Sequence, residues 1–535
     1  MKKLNASASI AVLAIILLFS ACKKTDPLIQ NEAINSGEGE TGRNSFNHES
    51  YGNTVFYALA SGVKLDKYKI SRPYDIMSTA NISGLQTAET ILAIDFRPAT
   101  GQLYGLGSSS RLYVINPATG IARMIGAGSF TTPLSGNIAA FDFNPTVDRI
   151  RVVTSSGQNL RLNPETGAVA AVDGSVNGAA GAVIAAIAYT NNSAGQTTTT
   201  LYDIDTANNN LYIQTPPNAG TLSLVGALDL NVGSGGFDIS PDNDAFGIFN
   251  VDNRSALVSV NLSTGKARVM ARYPSGISYS GFAIPTDPVA YAVDETNNLI
   301  IFNPETGSSH TNHGFNHHYD DGNNIDTIIK PITGLVEGAG IAGIDFRPLN
   351  GQLYALGNNS IIYTINTASG AATAVGTLTT ALSGTSFGFD FNPLVDRMRI
   401  VSNTGQNLRF NPNDGTTLVD GTLNPGTPAV SAVAYSNNFA GTTATTLYAI
   451  DATTNKLYTI NPPNAGTLVL QANLNINPGA ANGFDIGGTS GTAYALYRSF
   501  YHTRLYSINT TTGAARQMGS FRSAAINGFA LGLGF

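Results

Sequence analysis

The stretch Phe141–Gly167, FDFNPTVDRIRVVTSSGQNLRLNPETG, returns as Phe389–Gly415, FDFNPLVDRMRIVSNTGQNLRFNPNDG. Each version holds two short apolar segments, an Asp in the first, two alternate Arg in the second, and a closing N-P-x-x-G turn. Alternating apolar and polar side chains over a few residues are a strand pattern. Asn-Pro closed by Gly suits a type I turn ending in a residue of positive φ, the chemistry of a hairpin with a bulge. The stretch reads as one repeated β unit.

The turn serves as a ruler for the rest of the chain. Related pentapeptides start at residues 116, 163, 216, 261, 303, 366, 411, 462 and 509. Spacings of roughly 40–60 residues with four strand-like runs between turns are the signature of propeller blades. In one unit these runs are Ile91–Phe96, Leu103–Leu106, Leu112–Ile115 and Ile121–Ile125. With a degenerate unit at about 55–90, where Arg72–Asp75 replaces the turn, the count is ten. A longer period overlies the short one: Asp95, Asp142 and Asp238 match Asp345, Asp390 and Asp485. The expected fold is therefore all-β, with ten four-stranded blades in two homologous copies of five. Ser280-Gly281-Phe282-Ala283 and Asn527-Gly528-Phe529-Ala530 end the copies alike, and each is a strand able to close a ring. Closure by both predicts two tandem five-bladed propellers at 53–284 and 285–535, joined near Pro285-Thr286-Asp287-Pro288. The alternative is one ten-bladed ring closing at Phe535.

Composition agrees with a folded, strand-rich chain. Of 535 residues, 12% are charged and 42% hydrophobic, Gly numbers 57 and Trp is absent. A formal charge of −6, with no basic run after Lys24, excludes nucleic acid as the expected partner. Met1-Lys2-Lys3 and the apolar run Ile10–Phe19 form the start of a signal peptide too short to span a bilayer comfortably. Phe19-Ser20-Ala21-Cys22 is similar to a bacterial lipobox, which implies a signal peptide over 1–21 and lipidation of Cys22. Residues 22–52, polar and poor in apolar positions, read as a flexible tether. The expected location is the cell envelope, at the outer membrane or cell surface, with the membrane as a partner through the lipid anchor.

At FDFNPxVDRxRxV…TGQNLRxNP, together with the D-F-R-P stretches Ile94–Pro98 and Ile344–Pro348, the chain resembles a bacterial family known only as a domain of unknown function, number 4394. The resemblance covers both copies. It implies propeller-like repeats outside the cytoplasm and brings no activity and no catalytic residues.

Three constellations are candidates for chemistry. The inner-strand acids Asp95, Asp142, Asp238, Asp345, Asp390 and Asp485 form either a carboxylate ring holding a cation or a polar ligand near the axis, or a set of structural ties to nearby Arg or backbone N–H groups. A buried carboxylate needs a partner, and Arg149 and Arg151, like Arg397 and Arg399, share one strand face. Ion pairs of Asp142 with Arg149 and Arg151, and of Asp390 with Arg397 and Arg399, are the expectation. The loop residues Gln158, Asn159 and Arg161, with Gln406, Asn407 and Arg409, either contact a ligand or satisfy turn backbone. His310, His313, His317 and His318 cluster in an insertion of the second copy and have the donor type for a transition metal, although no regular spacing supports it. Asp203–Asn209 superficially resembles a calcium loop but lacks its Gly and bidentate Glu, and reads as a hairpin turn.

No P-loop, G-x-S-x-G, H-E-x-x-H or paired Cys occurs. The expected function is noncatalytic binding or scaffolding by a monomer, with a polysaccharide or protein ligand and no cofactor. The alternative is a polysaccharide hydrolase or lyase with carboxylates at a propeller mouth.

Overall fold

A computed structural model of the chain describes residues 52–305, 324–480, 482–499 and 502–535. Cys22 and the four clustered histidines lie outside them. The described residues form ten antiparallel four-stranded sheets, the blades expected from the turn spacing. Among them, no helix is long and apolar enough to cross a membrane.

The closing strands decide between one ring and two. Tyr279–Ala283 pairs with Val55–Ala60, setting Ala58 opposite Phe282 and Leu59 opposite Gly281. Ile526–Leu531 pairs in the same way with Ala290–Asp294. Each copy therefore borrows the inner strand of its first blade from its own C-terminal end. In the first ring the inner strands are Tyr279–Ala283, Ile91–Phe96, Ala139–Asn144, Ile184–Tyr189 and Gly235–Ile239, for blades one to five. They pack side by side in that order and the last packs on the first. In the second ring Ile526–Leu531, Ile341–Arg347, Phe387–Asn392, Val430–Tyr435 and Asn482–Ile486 do the same. The molecule has two five-bladed propellers, and the ten-bladed ring does not form. Closure leaves no open inner edge for another chain to pair with.

Burial follows from this stacking. Leu103–Gly107 is a central strand covered on both faces by neighbouring blades, and all five of its residues are buried. At the rim of the next blade, Val169–Val172 alternates half-buried and exposed positions. An apolar cluster fills each gap between blades. Phe56, Tyr68 and Phe282 of blade one meet Phe246, Ile248 and Leu257 of blade five across the seam of the first ring. Tyr494, Leu496 and Phe521 meet Phe302 and Phe529 across the seam of the second. The turn glycines fasten each rim to its neighbour. Gly120 has φ 76°, and a Cβ there would lie 2.1 Å from Asn81 O, so the site needs Gly on both counts.

The rings meet through loops that follow inner strands. The Gly534 amide donates to Thr100 O at 2.8 Å, and Tyr291 Oη to Ala99 O at 2.9 Å. Arg97, fully buried, donates to Gly351 O at 2.9 Å, and Arg123 donates to Leu349 O.

Candidate functional site

The carboxylates lie at the axis of each ring, and their arrangement follows from a count. At the axial ends of the five inner strands of the first ring stand the amides of Phe96, Phe143, Tyr189, Ile239 and Ile284. The preceding residues are Asp95, Asp142, Ala188, Asp238 and Ala283. Asp95 accepts from Phe96 N at 2.7 Å with one oxygen and from Phe143 N at 2.8 Å with the other. Asp142 Oδ1 accepts from Tyr189 N at 3.1 Å. Asp238 accepts from Ile239 N and Ile284 N, both at 2.6 Å. Three carboxylates thus satisfy five buried amides and stitch three of the five seams, blade two to three, three to four and five to one. Five of six oxygens are occupied, and Asp142 Oδ2 is the sixth.

The second ring repeats this bond for bond. Asp345 takes Phe346 N and Phe391 N, Asp390 takes Tyr435 N, and Asp485 takes Ile486 N and Leu531 N, at 2.6–3.2 Å. A hydrogen bond to a charged acceptor contributes about 1.5–3 kcal/mol, and an unmet buried amide costs a similar amount. The aspartates are therefore integral to ring closure.

Their proximity has an electrostatic cost. In each ring one oxygen from every member of the triad lies within 4.8 Å of the others. Burial, then repulsion from Asp238, pushes the Asp95 carboxyl well above its ordinary range, against the pull of the two amides. Burial followed by repulsion from Asp95 and Asp238 does the same to Asp142. Burial raises Asp238 and Asp485 to about 7.

The ion pairs expected for Asp142 and Asp390 are not the ones formed. Asp142 and Arg151 are cross-strand partners, as are Asp390 and Arg399. The short Asp turns to the axial amide, while the long Arg reaches outward. Arg151 donates to Asp173 at 2.6 Å, Asn159 at 2.8 Å and Asn218 at 2.6 Å. Arg161 grips the same Asp173 with two bonds at 2.8 and 2.9 Å. Burial raises the Asp173 carboxyl, but the two arginines hold it below its usual range. Arg399, Arg409 and Asp420, with Asn407 and Asn464, repeat the arrangement. Arg149 and Arg397 donate to the backbone carbonyls of Asp148 and Asp396 instead of to an axial acid.

The loop amides brace the fold. Gln158 accepts from Ser135 N and donates to Pro133 O, and Gln406 does the same with Ser383 N and Ala381 O. Asn159 and Asn407, both buried, bridge an Arg to two backbone carbonyls. Backbone satisfaction accounts for these four side chains. Arg161 and Arg409 stay partly open to solvent, at 33% and 27% exposure. Beside Arg409, between the third and fourth blades of the second ring, a groove of about 270 Å³ is lined by Arg397, Arg399, Tyr435 and Asn464. Its volume falls just below the range that encloses a drug-sized molecule. One charged unit of a larger ligand fits its size and its donors.

Sequence reasoning offered backbone N–H groups as well as arginine as partners of the aspartates but settled on arginine, and it did not identify which amides are capped. The available signal was the run Asp, Asp, Ala, Asp, Ala at one position of five successive units, each followed by a large apolar residue.

The family described as a domain of unknown function, DUF4394, matches residues 64–283 and 318–530. The chain belongs to this family. Both matched DUF4394 segments contain a complete axial triad and a complete arginine network. No curated protein matches the sequence. Among solved structures, the DUF4394 chain is similar to PorZ, a bacterial surface component of the type-IX secretion system of Porphyromonas gingivalis. Identity there is 13% and the TM-score 0.25, over 87% of this chain and 57% of PorZ. It is also similar to the extracellular domain of a protein described as a hybrid two-component system of B. thetaiotaomicron, at 12% identity and TM-score 0.24. That match covers 87% of this chain and 69% of the other. The DUF4394 chain thus spans a little over half of the PorZ chain it matches.

Proposed function

We propose that this protein is a noncatalytic binding or scaffold protein outside the cytoplasm, tethered to an envelope membrane through lipidated Cys22. Its ligand is a polysaccharide or protein that presents a carboxylate or similar anion to the groove at Arg397 and Arg409. The observation that carries this reading is the use of the inner-strand carboxylates. They face backbone amides at a closed axis, while acid catalysis on a polysaccharide needs a carboxylate pair facing substrate. The groove instead offers fixed guanidinium donors, an amide and an aromatic ring, the chemistry of anion recognition. Tethering through a 30-residue polar linker would leave such a surface free to sample polymers near the membrane.

The test is calorimetric titration of the full chain with polygalacturonate, with a neutral glucan as control. Saturable binding to the polyuronate, weakened about tenfold or more by Arg397→Glu through loss of one charge-assisted contact, is expected. Equal binding by parent and variant, or no binding to polyuronate or to an acidic peptide, would remove the groove as the ligand site. Cys22→Ala is expected to move the protein from the membrane to the soluble fraction, and unchanged fractionation would overturn the anchor.

A further inference from the structure

The axial triads use their oxygens on backbone amides, yet two further features point to a ligand between them. The first is Asn192, in the loop after the inner strand Ile184–Tyr189. It is fully buried, and its Nδ2 lies 3.5 Å from Asp238 Oδ1, the outer limit of a hydrogen bond. Its Oδ1 is buried without any partner. Buried amide oxygens ordinarily find a donor, so this one is an acceptor held beside a carboxylate cluster with nothing to accept. Asn438, its counterpart in the second ring, is 1% exposed and has the same unpartnered Oδ1. The second feature is space. A cavity of about 10 Å³ sits on each axis, bordered by Ile94, Phe141, Ile187, Phe237 and Phe282 in the first ring. All five directly precede an axial Asp or Ala, so the cavity lies next to the carboxylate cluster, and its lining does not include the acids themselves. A cavity of the same size repeats in the second ring. Such a volume admits a single water-sized body beside the carboxylates, not among them.

We infer that each propeller binds one calcium ion on its axis, between the three aspartates and the side-chain carbonyl of Asn192 or Asn438. A half-turn of the amide brings Oδ1 toward Asp238, and two such oxygens sit together only with a cation or a proton between them. The donors are all hard oxygens, with no His or Cys, which favours calcium over transition metals. Carboxylate oxygens within 4.8 Å of one another suit calcium, whose Ca–O distance of about 2.4 Å allows opposite ligands to stand nearly 5 Å apart. Magnesium demands a tighter octahedron. Each carboxylate oxygen already bonded to an amide keeps a second lone pair for the ion, and Asp142 Oδ2 and Asp390 Oδ2 are available outright. Because the same aspartates cap all five inner strands, an ion there ties the whole ring together. The competing occupant is the proton: without a cation, a buried triad of like charges holds protons instead.

The test uses the purified full chain. After dialysis in micromolar calcium, elemental analysis is expected to find about two calcium ions per chain. Excess chelator should lower the melting temperature by about 5 °C or more, since a ligand well above its Kd stabilises the folded state strongly. The double variant Asp142→Asn with Asp390→Asn keeps an acceptor for Tyr189 N and Tyr435 N, and is expected to lose both the calcium and the response to chelator. Should that variant fail to fold, Asn192→Leu with Asn438→Leu leaves the amide caps untouched and is expected to weaken calcium binding about tenfold or more. Absence of calcium with no chelator response, or calcium retained at parental affinity by the folded variants, would overturn the inference and leave shared protons or adventitious ions only.

Discussion

The two propellers share their axial bonds and their Arg–Asp–Arg networks, but they bury different groups around them. In the first ring, Arg97 is sealed among Asp148, Glu165 and the Gly351 carbonyl of the other ring. Its counterpart Arg347 meets Asp396, the neutral Asn413 and Tyr354, and its partner Asp396 is 22% exposed. Two blades later, Asp203 faces Tyr212 across the sheet where the second ring has Ala449 facing Tyr458. Gln214 likewise stands where the second ring has Ile460. Both Asp203 oxygens and Gln214 Oε1 are buried without a bond. The first ring has invested its buried charges in the contact between rings and holds an unmatched acid beside its arginine network. The second ring has replaced that acid with hydrocarbon, and the groove opens in the second ring. One blueprint thus serves two ends, depending on which buried polar groups find partners.

The largest expected difference lies at the paired arginines. Arg97→Ala leaves Asp148 and Glu165 buried without their cation and removes a bond between rings. Breaking a buried pair in this way costs about 3–5 kcal/mol. Arg347→Ala removes a pair that water already reaches and should cost about 1–2 kcal/mol, nearer the range of exposed pairs. Urea denaturation of the two variants checks this. Equal costs would mean that the first ring's arginine does no more than its counterpart.

How far these features could be read in advance depends on how local their causes are. The blade unit rests on alternation and turn chemistry within some 45 residues, so the motif at Phe141 and its echoes sufficed. Ring closure was only half legible. The twin endings at Gly281 and Gly528 suggested that each copy closes on itself, but Gly281 stands far enough before Tyr291 to start a sixth unit. Only the pairing of Tyr279–Ala283 with Val55–Ala60 decides it. Arg149 and Arg151 were expected on one face, and alternation placed them there. Their partners were not legible. Asp173 lies in the rim segment well beyond them, and nothing in the spacing says that it, rather than the nearer Asp142, meets Arg151. The role of Asp142 depends on the amide of Tyr189, a group with no signature in the side-chain sequence. Asp203 passed for part of a hairpin, which it is, but its burial comes from the neighbouring blade.

Giving the first ring the second ring's pair should produce the next largest effect, with opposite sign. Asp203→Ala with Gln214→Ile exchanges unpaired buried polar groups for hydrocarbon, a change that typically stabilises by about 1–3 kcal/mol. Its pH dependence identifies the cause. Burial raises the Asp203 carboxyl to about 8, opposed by nearby Arg151. Between the ordinary carboxylate range and pH 8, the folded chain therefore keeps a proton that the unfolded chain has released. Stability then falls as pH rises through that window. The advantage of the double variant should be small near pH 4 and grow toward pH 8. An advantage that stays constant with pH would assign it to packing alone.

The smallest effect tests whether the shared frame is energetically the same in both rings. Gln158 and Gln406 make matching bonds, each accepting from a Ser amide and donating to a backbone carbonyl in the loop before its blade. Both sites are near the surface, so water replaces lost bonds, and each Gln→Ala change should cost only about 0.5–1.5 kcal/mol. The comparison carries the information. Bonds with the same partners in the same geometry should give losses equal within about 0.5 kcal/mol, because distant sites behave independently. A larger loss in one ring would show that its loop bears on something its twin does not. A larger loss at Gln406 would couple the loop to the groove on the other side of the same blade. A larger loss at Gln158 would show that the first ring depends more heavily on its loops, as its buried charges imply.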